Sequence, residues 1–293
     1  MTDQAHNLRN LVEKKRKEKV ETILKDREIK IYCIASGKGG VGKTNVVVNL
    51  AISLQRKGRK VLVIDADLGM ANVDVILGLY PNVTLFDVFF NEKSLKEALI
   101  DGPEGIKIIP GGSGMIKMTT LDTAQQSRIA EEFIQLEDVD TILIDTGAGI
   151  SMNLMSFIAF SQEVLVVTTP EPTALTDAYG LIKVISELQL KKNIKVIVNR
   201  VSGKEIAVFT FERLRNTVEK FLKIKLDYVG YIIDDIRVSN AVMDRSAFVL
   251  EYPNSIASQC IEGIADTLIG KEANAIKLRT MSEVYNRLIK IFG

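Results

Sequence analysis

Residues 36–44, Ser-Gly-Lys-Gly-Gly-Val-Gly-Lys-Thr, constrain the fold of this chain more than any other stretch. They satisfy the phosphate-loop pattern Gly-x-x-x-x-Gly-Lys-[Ser/Thr] and carry a second lysine, Lys38, among the glycines. The pattern has meaning only between a strand and a helix. Residues 29–35 form a short, mostly apolar run rich in branched side chains, which predicts a buried strand. Residues 45–57, closed by Gly58, have the length and stop signal of a helix. Glycines at such a junction let backbone N–H groups and the positive end of the helix hold an anionic phosphate. Gly37, Lys38, Gly39, Gly40, Val41, Gly42, Lys43, Thr44 and Asn45 are therefore the predicted nucleotide-binding stretch. Lys43 is expected to place its ammonium between the terminal phosphates, and Thr44 its hydroxyl on Mg²⁺.

The rest of the chain is organised to suit. Further strands are predicted at 60–65, 106–109, 141–145, 163–169, 194–199 and 228–232, with helical patterns between most of them, including 122–136, 173–190 and 209–223. This alternation predicts an α/β fold, a mostly parallel sheet with helices on both faces. Ligands in such sheets sit beyond the carboxyl ends of the strands. Ser36, Asp65, Asp145 and Asn199 all fall at such ends. A strand-end carboxylate near a triphosphate can hold Mg²⁺ directly or through water, and Asp145 is the residue chosen for that role. Asp67, two residues past a strand on a glycine-containing loop, is a candidate to order or deprotonate the attacking water. Either aspartate is also a plausible turn or helix cap.

Composition narrows the function classes. With 293 residues, 46% of them hydrophobic, the chain can bury a large core. A net charge of +1 offers no global argument for nucleic acid. The lone histidine, His6, makes a histidine-based metal or catalytic centre a poor expectation. Cys33 and Cys260 read as core residues of a reduced compartment without a disulfide framework. The first thirty residues are too polar for a signal peptide, and no apolar run is long enough to span a bilayer.

Four segments together resemble the MinD/ParA class of deviant phosphate-loop ATPases: the two-lysine loop, Asp-Ala-Asp-Leu-Gly from residue 65, Asp-Thr-Gly-Ala-Gly from residue 145, and Val-Asn-Arg from residue 198. The resemblance covers roughly residues 29–270. It implies an Mg²⁺-dependent ATPase whose hydrolysis is coupled to an ATP-dependent homodimer, with Lys38 crossing onto the partner's phosphates. By the same likeness Asp67 positions the lytic water, so Lys38, Lys43 and Asp67 form the catalytic set. Thr44, Asp65 and Asp145 form the metal set, and Glu171, Asn199, Arg200 and Asp235 complete the nucleotide pocket. Ile233 stands where the class often has proline.

Asn45, the Glu-Pro-Thr-Ala-Leu-Thr-Asp-Ala-Tyr-Gly run from residue 171 and the Asp-Gln-Ala-His-Asn-Leu-Arg run from residue 3 are similar to the flagellar-number branch, FlhG or YlxH. That likeness implies a peripheral, membrane-associated regulator working with the flagellar GTPase FlhF and with flagellar C-ring proteins. In the 1–28 arm, nine Lys/Arg stand against six Asp/Glu up to residue 30. Asp3, Gln4, Ala5, Leu8 and Arg9 are its expected partner contacts, on a helix marginal enough to order upon a partner. A frayed, solvated terminus is the alternative. Residues 271–293 carry a helical apolar stripe, with Val284, Tyr285, Leu288, Ile289 and Phe292 as its expected membrane face. Taken alone, the stripe favours packing on the core, its commoner fate, and the resemblance selects membrane lipids instead. The alternatives are a ParA-type partition ATPase binding non-specific DNA, which the scattered lysines make the weaker expectation, and a cell-division MinD. A nitrogenase-type iron protein fits the cysteine positions poorly.

Overall fold

The computed structural model describes residues 28–67, 72–91, 93–112, 128, 131–133, 136, 138–275 and 279–280. Asp3, Gln4, Ala5, Leu8 and Arg9 lie outside the described residues, as do Val284, Tyr285, Leu288, Ile289 and Phe292.

Among the described residues the strands are β1 (Glu28–Ala35), β2 (Val61–Ala66), β3 (Ile100–Asp101), β4 (Lys107–Ile109), β5 (Thr141–Thr146), β6 (Glu163–Thr168), β7 (Asn193–Val201), β8 (Lys225–Ile233) and β9 (Arg279–Thr280). They form one sheet in the order β3-β4-β2-β5-β1-β6-β7-β8, with β9 added on β1. The pairs β1–β5, β1–β6, β2–β5, β2–β4, β6–β7 and β7–β8 are parallel; β3–β4 and β1–β9 are antiparallel. The mostly parallel α/β expectation holds. The longer helices are α1 (Lys43–Arg56), α2 (Met152–Phe160), α3 (Pro172–Glu187), α4 (Lys204–Phe221), α5 (Ile236–Met243) and α6 (Ile256–Ala275).

A parallel strand in the middle of a sheet is buried on both faces, so its sequence is apolar throughout rather than alternating. β1 obeys this except at Lys30: residues 29–35 are all buried, and Lys30 is the one charged side chain among them. Ile31, Cys33 and Ala35 join the layer that packs α2, α3 and α4. Tyr32 and Ile34 join the layer that packs α1 and α6. α1 contains the run Val46-Val47-Val48, a poor helix former by propensity because β-branched side chains lose rotamer freedom against the preceding turn. Burial overrides that preference, since all three valines are almost fully enclosed. Gly58, at φ 87°, then stops the helix in a conformation few other residues adopt.

Several boundaries differ from the sequence pattern. β8 starts three residues before the predicted 228, because it is the edge strand and its outward positions are polar. α4 starts at Lys204 rather than 209, since Ala207 already faces the core. Of the predicted helix 122–136, Arg128 and residues 131–133 are helical and most of the rest lies outside the described residues. α6 runs on to Ala275, across the expected boundary at 270, and β9 then lies against Glu28 and Ile29. Cys33 is fully buried and Cys260 half-buried; burial pushes the Cys33 thiol up to about 12 and raises that of Cys260. Both behave as core residues.

Gln162 stitches the start of β1. Its Oε1 accepts from Ile31 N–H at 2.8 Å, its Nε2 donates to the Ile29 carbonyl at 2.8 Å, and its own N–H donates to the Ile31 carbonyl at 3.0 Å. Replacing the amide by an apolar isostere leaves a buried donor and acceptor unpaired. Gln162→Leu is therefore expected to lower unfolding free energy by about 1–3 kcal/mol in a denaturant titration; an unchanged midpoint would contradict the stitch.

Candidate active site

The phosphate loop is shaped by what presses on it. A Cβ on Gly37 would lie 2.1 Å from the Asp177 carbonyl oxygen, so only glycine lets the loop touch the backbone of α3. Gly40 and Gly42 have φ of 77° and 86°, the left-handed region that glycine enters without penalty. Ser36 Oγ donates to the Lys38 carbonyl at 3.0 Å, and Gly149 N–H donates to the Ser36 carbonyl at 2.9 Å. The second contact ties the loop to the segment after β5. The loop ends at Gly42, and α1 begins with Lys43 and Thr44.

Parallel register brings the charges together. Asp145 lies opposite Ile34 on β1 and opposite Asp65 on β2. Lys43 Nζ donates to Asp145 Oδ1 at 2.5 Å, with the two side chains 8% and 1% exposed. Burial pushes the Asp145 carboxyl up, and the Lys43 ammonium and hydrogen bonds from Lys43 and Thr44 pull against it. Asp145 Oδ2 is buried with no hydrogen-bond partner. An oxygen of a buried carboxylate with spare acceptor capacity, beside the Thr44 hydroxyl, fits a hard divalent cation. Mg²⁺ keeps waters and takes phosphate oxygens, so it needs few ligands from the protein.

Asp65, expected in the metal set, is engaged with the backbone of the loop that follows it. Its Oδ1 accepts from Asp67 N–H at 3.0 Å, and its Oδ2 accepts from Asn72 N–H at 2.9 Å and Val73 N–H at 3.1 Å. Burial and then the Asp145 charge push its carboxyl up, while these three amides hold it down. Asp65 is thus a clamp on the loop that follows β2. Asp67 is half-buried, and its carboxylate lies against Gly147, where a Cβ would come within 3.4 Å of Oδ1. Residues 68–71 lie outside the described residues.

The other expected site residues line the same end of the sheet. Lys38 Nζ donates to Glu171 Oε2 at 2.8 Å and Thr173 Oγ1 at 2.9 Å, and is 38% exposed. The Lys38 ammonium holds the Glu171 carboxyl below its ordinary value, and Arg200 adds to that pull. Arg200 is exposed with φ 54°. Asn199 donates from Nδ2 to the Val41 carbonyl at 2.7 Å. Asp235 caps α5 through Arg237 N–H at 3.0 Å and pairs with the Arg237 guanidinium, which holds its carboxyl down. Asn45, in the first turn of α1, has its carbonyl bonded by Asn49 Nδ2 at 2.8 Å. Sequence reasoning quoted Thr173, Gly147 and Gly149 only within longer segments and gave none of them a role. The first is signalled by its place in a helix-opening Glu-Pro-Thr, and the glycines by their spacing after the strand-end Asp145.

The packing of Gly37 separates it from its neighbour. A Cβ on Gly39 would meet its nearest atom, Ala148 Cβ, at 3.9 Å. Gly37→Ala is expected to destabilise the ligand-free protein by about 1–3 kcal/mol through overpacking. Gly39→Ala is expected to change it by less than about 0.5 kcal/mol. Calorimetric melting of both variants checks this, and equal melting temperatures would refute it.

Comparison with known proteins agrees with this geometry. Residues 29–198 match the family described as an AAA domain. The antiactivator FleN of Pseudomonas aeruginosa is 40% identical over 238 residues, covering 81% of this chain and 85% of FleN. The flagellum site-determining protein YlxH of Helicobacter pylori is 36% identical over 270 residues, covering 90% of this chain and 91% of YlxH. The septum site-determining protein MinD of Pyrococcus horikoshii, solved in complex with Mg-ADP, superposes with a TM-score of 0.68 at 29% identity, over 84% of this chain and 98% of that one. A two-lysine phosphate loop on a parallel sheet, a strand-end aspartate with an unbonded oxygen and these relatives place the chain in the MinD/ParA class of P-loop ATPases, which bind ATP with Mg²⁺ and hydrolyse it.

Proposed function

We propose that this ATPase is a dimerising switch of flagellar number and placement, closed by ATP and released by hydrolysis. The observation that carries the reading is the contrast between the two loop lysines. Lys43 is 8% exposed and spends its charge on Asp145 inside the chain. Lys38, five residues earlier, is 38% exposed and rests on Glu171, itself 60% exposed. An exposed ion pair contributes little to stability, so Lys38 is held without being trapped. It is the cation best placed to reach a second copy's phosphates.

In this reading Lys43 donates to the terminal phosphates from within. Lys38 of the second copy meets the charge that builds up as the phosphoryl group leaves. Asp67, against Gly147, orients or deprotonates the attacking water. Mg²⁺, held by Thr44 and Asp145 with Asp65 clamping the adjoining loop, would neutralise phosphate charge. Arg200 and Asp235 flank the base.

The flagellar assignment rests on the likeness to FleN and YlxH. The 1–28 arm, through Asp3, Gln4, Ala5, Leu8 and Arg9, would engage an FlhF-type GTPase, and the body would engage C-ring proteins. Residues 271–293 would bind lipid weakly as one helix and more firmly as the two of a dimer. Among the described residues no helix is long and apolar enough to cross a membrane, which suits peripheral attachment.

Asp67→Ala is expected to bind ATP, accumulate as dimer and lose about a hundredfold or more in turnover. Lys38→Ala is expected to stay monomeric with ATP. Light scattering after gel filtration, with phosphate release, reads both; an ATP-loaded Asp67→Ala monomer, or an ATP-driven Lys38→Ala dimer, would refute the division of roles. The arm is tested separately. Pull-down of an FlhF-type GTPase is expected with the whole chain and not after removal of residues 1–28. Salt-sensitive DNA binding by the ATP dimer would instead favour the partition alternative.

A further inference from the structure

The nucleotide pocket of this class needs a loop already in the right shape before phosphate arrives, and one side chain far away in sequence holds part of that shape. Asn199 is 7% exposed and sits near the carboxyl end of β7. Its Nδ2 donates to the Val41 carbonyl at 2.7 Å, and its Oδ1 accepts from Arg200 N–H at 2.9 Å. The amide orientation is forced, since a carbonyl can only accept and an N–H can only donate. A Cβ on Gly42 would lie 2.4 Å from Nδ2, so Asn199 also lies against the last glycine of the loop.

The strand is irregular where it makes this contact. The β7–β8 register shifts between Val198 and Val201, and Arg200 takes φ 54°, a conformation a non-glycine residue adopts at a cost. Bulges of this kind re-aim a side chain beside a site. Here the re-aimed group is Asn199.

We propose that Asn199 is a positioning residue for the phosphate loop, acting through the Val41–Gly42 peptide. A trans peptide is planar, with its C=O and N–H pointing opposite ways. Fixing the Val41 carbonyl on Asn199 therefore fixes the direction of Gly42 N–H. Gly40 and Gly42 flank that unit with left-handed φ, so without the brace the peptide plane can turn and carry its N–H out of place. The brace and the Gly42 contact act on the phosphate end of any nucleotide. This rests on the triphosphate binding at residues 37–44.

The test compares Asn199→Ala and Asn199→Asp with the unaltered full-length chain. Asn199→Asp keeps the acceptor for Arg200 N–H and loses the donor to Val41. Calorimetric titration with Mg²⁺ and ATP, GTP or inorganic tripolyphosphate should show Asn199→Ala weakening all three about tenfold or more, tripolyphosphate included. Loss of ATP affinity alone, with tripolyphosphate untouched, would make Asn199 a base reader and overturn the proposal, as would no loss for any of the three. A second arm needs no ligand: amide hydrogen exchange across residues 37–43 should quicken in both variants, and unchanged exchange would overturn the brace. If the unaltered chain bound none of the three probes, the loop's role as nucleotide site would fail, while the exchange arm would still decide on the brace.

Discussion

A lysine and two aspartates share the buried end of three adjacent strands, and much of the site follows from keeping that charge in balance. Parallel pairing sets Asp65 directly beside Asp145, and α1 delivers Lys43 to the second. Ions in a low-dielectric interior are tolerated only when paired and hydrogen-bonded. The structure solves the two aspartates differently. Asp145 spends one oxygen on the ammonium and keeps the other buried and unbonded. Asp65 spends both on backbone amides of the following loop. The first is left with capacity for a further positive charge; the second is engaged in shaping backbone. Two residues that look alike as strand-end aspartates therefore do different work.

The loop itself is held by contacts that converge from distant parts of the chain. Gly37 leans on α3, Ser36 takes a bond from Gly149, and the Val41 carbonyl is held by Asn199. Three separate elements thus bear on nine residues. A loop rich in glycine is entropically expensive to order. These contacts order it in advance, so that less of the binding energy of a nucleotide is consumed in shaping its own site.

Much of this was legible in the sequence, and the exceptions have physical causes. The buried strands announce themselves as apolar runs, and all seven predicted strands are present. The short β3 and the edge residues of β8 are hidden because an edge position needs no apolar side chain. The phosphate loop and Asp145 are readable because their chemistry is local: a strand, a turn and a helix start. The backbone contacts of Asp65 and Asn199 are not, because the same side chain would serve a metal, a base or a backbone amide. The choice depends on neighbours such as Val41, 158 residues from Asn199. Likewise nothing in the sequence pairs Lys38 with Glu171, 133 residues on.

The antiparallel contact of Arg279 and Thr280 with Glu28 and Ile29 has a geometric consequence. β1 carries the nucleotide loop at its carboxyl end, so residue 28 and residue 280 meet at the opposite pole of the molecule. Positions 28 and 280 are thus held as neighbours, a strand's length from the phosphate loop.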